Sequence, residues 1–134
     1  MYFELGFARA VVKDDFKYIA IRYPDWANNL NDEERKNLLQ EYNEFRQSFG
    51  AKAITTDHTK PFGHLELTPG GGGAGSGTYG KKSGYFDPDQ LYDLNNDPIE
   101  ENNLANNPEY AQKLKEMKAE LQKYVDSLPG KFDI

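Results

Sequence analysis

Six of the eight residues from Gly70 to Gly77 are glycine. No helix or strand survives such a run, because glycine loses more conformational freedom on ordering than any other residue. The ordered structure must therefore come from the segments on either side. Neither segment alone holds a full core, so the expectation is one domain over residues 1–134 with a flexible Gly-rich loop at 69–84. A chain of 134 residues and 15.3 kDa suits a single core.

Before the loop, residues 7–12 and 16–23 are rich in β-branched and aromatic side chains. Lys13-Asp14-Asp15 separates them, which predicts a hairpin. Pro24 ends the second strand because it cannot donate to a ladder. Asn31 is a candidate cap for a helix over 31–49, with Asp32, Glu33 and Glu34 at the positive end of its dipole. Leu38, Leu39, Tyr42, Phe45 and Phe49 recur at helical spacing, and Gly50 sits where a C-terminal cap belongs. This stripe is expected to pack on the sheet. Residues 64–68 fit a further short strand.

After the loop, Tyr85-Phe86 and Leu91-Tyr92-Asp93-Leu94 read as extended, and Asn95-Asn96-Asp97-Pro98 as a turn. Asn107 caps a last helix with Pro108 at its first position. Tyr110, Leu114, Met117, Leu121, Tyr124 and Val125 form its apolar stripe, and Leu128-Pro129-Gly130 stops it. The fold expected is α+β: a small antiparallel sheet of about four strands packed by the C-terminal helix over 108–127, with one additional inserted helix.

Composition narrows the function. The absence of cysteine excludes disulfides, thiolate metal sites and a cysteine nucleophile. A net charge of −6 argues against nucleic acid as a partner, which needs a basic stripe. No segment approaches the length of apolar chain that spans a membrane. Residues 1–10 lack the apolar run of a signal peptide.

Several motifs come close and fail. Gly75 to Lys81 spells G-x-x-x-x-G-K, but Lys82 stands where a phosphate loop needs Ser or Thr. Asp93, Asn95 and Asp97 match the first three ligand positions of an EF-hand loop. Pro98 then replaces the required glycine and Leu104 the bidentate glutamate. His58 and His64 are the only histidines, with Asp57 beside the first, and nothing fixes their geometry for a metal or an acid–base pair. Glu100-Glu101 reads as a solvated face. No residue set reads as an active site, and no metal ligand is assigned.

Two stretches resemble sulfatases. Arg9-Ala10-Val11-Val12-Lys13-Asp14-Asp15-Phe16-Lys17-Tyr18-Ile19 is similar to the segment that opens their C-terminal subdomain. Leu91-Tyr92-Asp93-Leu94-Asn95-Asn96-Asp97-Pro98-Ile99-Glu100-Glu101-Asn102-Asn103-Leu104-Ala105 resembles the segment preceding their last helix. It matches every fixed position of L-Y-D-L-x-x-D-P-x-E-x-x-N-L-A. The residues themselves predict a structural role for it. Leu104, the single apolar residue of 100–107 besides Ala105, pins the connection to the core, and Asn103 and Asn107 serve free backbone donors.

The resemblance implies a parent sulfuric-ester hydrolase with a large N-terminal catalytic domain. There a Cys or Ser in C/S-x-P-x-R becomes formylglycine and acidic residues hold calcium. The nearest match here, Ser127-Leu128-Pro129-Gly130-Lys131, ends in Lys and follows the last helix, so Ser127 is read as a helix-end residue. No catalytic residue and no cofactor is carried over to this chain. Its expected partners are the missing catalytic domain and sulfated carbohydrate. His58, Lys60, His64, Lys81 and Lys82 are the substrate-facing candidates, because cations suit an anionic sugar at a cleft wall. The resemblance suggests a periplasmic, extracellular or lysosomal site. The alternative expectation is a free-standing binding module for sulfated glycan or protein.

Overall fold

The computed structural model describes residues 1–53, 84 and 87–134. Four strands form one antiparallel sheet in the order β1-β2-β3-β4. They are β1 (Tyr2–Leu5), β2 (Ala8–Lys13), β3 (Phe16–Ile21) and β4 (Asp89–Asp93). The helices are α1 (Asp25–Asn28), α2 (Asp32–Ser48) and α3 (Ala111–Val125), and a 3-10 turn at Pro108–Tyr110 leads into α3. The α+β architecture expected from the sequence is the one present, with α3 packed on the sheet and α2 as the additional helix.

The β2–β3 hairpin closes on Asp14 and Asp15, with Lys13 opposite Phe16. Both loop residues have positive φ, +47 and +63, as a type I′ turn requires. Asp tolerates this conformation better than most residues. The β1–β2 connection places Gly6 at φ +53, where glycine is strain-free. β1 itself is absent from the sequence reading. Its alternation spans only four residues, too few to stand out by period.

Two compact units divide the chain. One comprises Met1–Arg22 and Gly80–Ile134, the other Tyr23–Tyr79. The core lies in the first. Register sets Val11 beside Tyr18 and Tyr18 beside Leu91, so the three share one sheet face. They are fully buried with Ala20 against Met117, Leu121 and Val125 of α3. The predicted helical stripe is thus the buried one. Tyr2 stacks on Tyr124 at 5.3 Å and Phe16 meets Tyr110 at 6.2 Å, contacts that bind the two ends of α3 to the sheet.

In the second unit, Asn31 and Glu34 form a complete capping box at the start of α2, and Gly50 follows its end at φ +81. The sequence expects the α2 stripe to be covered, and its residues are not buried. No α2 residue is buried, and Phe45 and Phe49 remain 63% and 62% exposed. They meet each other edge to face at 5.1 Å. Helical period reports which residues share a face and not whether anything covers it. The expected strand at 64–68 and the extended Tyr85-Phe86 pair lie outside the described residues.

Candidate functional site

His58, Lys60, His64, Lys81 and Lys82, the cleft candidates, all lie outside the described residues, as does the loop at 69–84 apart from Gly84. Two polar arrangements stand out among the described residues, both in the first unit.

The first is the connection from β4 to α3. Asp93 Oδ1 accepts from the backbone N–H groups of Asn95 and Asn96, and its Oδ2 accepts from Asn96 Nδ2. Those bonds hold its carboxyl below the usual carboxylate range, the Asn96 side chain foremost. Asp97 accepts from the N–H groups of Glu101 and Asn102. The two aspartates therefore serve the turn as Asx residues do. Asn103 Oδ1 accepts from Leu91 N–H at 2.9 Å and from Ala105 N–H at 3.0 Å. Its Nδ2 donates to the Asp89 carbonyl and to Asp87. Leu104 N–H donates to the Leu91 carbonyl at 2.8 Å, and its side chain packs on the core. Asn107 Oδ1 accepts from Glu109 N–H. The segment thus lies along β4 and closes that edge of the sheet. The roles expected of Leu104, Asn103 and Asn107 are the ones they play.

Glu100 departs from its expected solvated role. It takes φ +58 and receives both Lys17 Nζ contacts, at 2.8 and 2.9 Å. Tyr92, buried above Lys17 on the same face, has its hydroxyl pushed up to about 12 by burial and by the negative charges of Glu100, Asp87 and Asp97. Ser127 ends α3, its hydroxyl donating to the Tyr124 carbonyl at 2.7 Å. That is the helix-end position read from the sequence.

The second arrangement was not found in the sequence. Asp89, at the start of β4, collects three donors. Tyr18 Oη and Arg22 Nη2 each approach Oδ1 at 2.7 Å, and Lys118 Nζ approaches Oδ2 at 2.5 Å. Arg22 also donates to the carbonyls of Asp133 and Pro88. Burial alone would raise the Asp89 pKa, but Lys118, Tyr18 and Arg22 together outweigh it and hold the carboxyl at about 2. The Tyr18 hydroxyl moves the other way, raised first by burial and then by its bond to Asp89. Lys118 also borders a shallow groove of about 470 Å³, with Lys115, Asn106, Asn107 and apolar Pro108 and Leu114. The four residues come from β3 and the residue just after it, from β4 and from α3, so no local spacing announces them.

Chemically the Asp89 group is a clamp. Its carboxylate is ionised and fully engaged, which leaves it no capacity to take a proton near neutrality. Among the described residues no group of three His, Asp or Glu could hold a metal ion, and no helix is long and apolar enough to cross a membrane. No family model matches this sequence, and no curated protein matches it.

Proposed function

We propose that the chain is the non-catalytic C-terminal portion of a sulfatase-like sulfuric-ester hydrolase, which completes the enzyme core and shapes one wall of its substrate cleft. One observation carries the reading. In the segment that resembles the sulfatase connection, residues 91–105, the fixed polar positions Asp93, Asp97 and Asn103 accept hydrogen bonds from backbone N–H groups, and Glu100 pairs with Lys17. The fixed apolar positions Leu91, Tyr92 and Leu104 pack inward. A motif so occupied serves architecture. In this reading formylglycine and calcium belong to the catalytic domain, whose residues this chain does not supply. Sulfated carbohydrate would meet the loops.

The test is an immunoprecipitation from source cells with antibody against this chain. The expected result is a polypeptide several times larger than 15.3 kDa, whose precipitate hydrolyses an aryl sulfate while the purified chain does not. A band at 15.3 kDa with an inert precipitate overturns the proposal. It would favour a free-standing module for sulfated glycan or protein.

A further inference from the structure

The two edges of the sheet differ. The segment 103–105 covers the β4 edge through the Asn103 and Leu104 bonds to Leu91. Nothing among the described residues pairs with the outer edge of β1. Met1 and Val12 exchange both backbone bonds at 2.8 Å. An antiparallel ladder alternates from there, so Phe3 and Leu5 also turn their polar groups toward β2. The N–H and C=O groups of Tyr2 and Glu4 consequently face outward. The same strand carries two exposed apolar side chains, Leu5 at 82% and Phe3 at 47%. Natural edges are blunted by shortness, by charges or by proline; β1 is short, at four residues, but carries no proline. The one charge on β1, Glu4, is instead neutralised by Arg9 across the ladder at 2.7 Å.

We infer that the β1 edge is a homodimer interface, at which a second copy of this chain adds its own β1 antiparallel. The occupant follows from self-complementarity. A two-fold axis through Phe3 sets Tyr2 opposite Glu4 of the second copy, the only outward-facing pair the strand offers, and both sets of backbone bonds close. Phe3 then meets Phe3 of the second copy at a non-hydrogen-bonded position, where cross-strand aromatic pairs stand closest. Leu5 falls opposite Met1, 73% exposed, so apolar meets apolar. No like charges are opposed, because each glutamate lies beside a tyrosine and keeps its own Arg9. The result is one continuous eight-stranded sheet with both α3 helices on the same face. The inference stands apart from the sulfatase reading.

Sedimentation of the full chain over a range of concentrations tests it. The wild type should sediment as a concentration-dependent dimer. Glu4→Pro removes an outward N–H while leaving the ladder to β2 intact, a place where an edge strand tolerates proline. It should weaken the dimer at least tenfold with the thermal transition retained. Phe3→Lys should do the same by setting two cations together, and keeps the test open if the proline variant fails to fold. A wild type that stays monomeric to millimolar concentration overturns the inference. So does a dimer that both folded variants leave unchanged.

Discussion

At the scale of single residues, Asp89 ties separate elements together. It joins the end of β3, the start of β4 and the middle of α3 through Arg22, Tyr18 and Lys118. Removing its charge leaves two half-buried cations facing a neutral amide. Asp89→Asn should lower stability by about 1–2 kcal/mol, read as a lower denaturant midpoint with an unchanged slope. The pH dependence follows in sign. The folded pKa, about 2, lies below the ordinary 3.8. The stabilisation is therefore complete above pH 3.8 and is lost as pH falls toward 2. The Asn variant should lack that part of the acid transition, so the two proteins should converge in stability at the acid end. Tyr18 acts oppositely. Its raised pKa contributes stability below the ordinary value of 10.0 that drains away as pH rises beyond it. None of this was legible in the sequence, because four residues spread from 18 to 118 meet only once the sheet and α3 are assembled. Asn103 was legible, because its partners Leu91 and Ala105 lie within twelve and two residues of it. Asn103→Ala should cost about 1–3 kcal/mol by leaving the Leu91 N–H unpaired. Amide exchange at Leu91 would accelerate well before that at Tyr18.

At the scale of elements, local rules worked wherever an element is local. α2 begins where Asn31 and Glu34 form their box, with Asn31 Oδ1 accepting from Glu34 N–H at 3.0 Å and Glu34 Oε2 from Asn31 N–H at 2.8 Å. Asn31→Ala should destabilise the first turn of α2 by about 1 kcal/mol, seen as roughly fivefold faster amide exchange at Glu34 with α3 unaffected. The α3 stripe was equally legible, and there burial follows. Leu121 is fully buried against Val11, Tyr18 and Leu91. Leu121→Ala should cost about 2–5 kcal/mol through lost transfer energy and the cavity left behind, against little change for Phe45→Ala on the exposed face of α2. An unaltered melting temperature for Leu121→Ala would contradict the packing described. The same periodic argument served both helices and was right about burial for only one, since periodicity carries no information about the partner surface. β1 marks the opposite failure. Four residues with alternating polarity fall below the length at which period-two patterns separate from chance. Gly6 at a turn position was the available cue.

For the whole molecule, the division into units makes a prediction about autonomy. Every buried residue of the core cluster belongs to the unit formed by Met1–Arg22 and Gly80–Ile134. The second unit, Tyr23–Tyr79, enters between neighbouring strands: Ala20 pairs with Asp89, and Ile21 N–H donates to the Pro88 carbonyl at 2.9 Å. Chain leaving β3 thus returns to β4 close to where it left. Replacing Tyr23–Tyr79 by a short Gly-Ser linker would shorten that loop, and the entropy of loop closure changes only slowly with length. All four strands, α3, the Asp89 clamp and the 91–105 connection are retained. The expected outcome is a cooperative thermal transition, with amide exchange at Val11, Tyr18 and Leu91 as slow as in the intact chain. Non-cooperative melting of the shortened chain, with fast exchange at those amides, would mean that Tyr23–Tyr79 supplies part of the folding free energy. The Gly-rich run at 70–77 marked a break in the chain, yet the unit boundaries fall at Arg22–Tyr23 and Tyr79–Gly80. A break in composition locates a loop. The strand pairing across Ala20 and Asp89 is what shows the intervening chain to be an insertion.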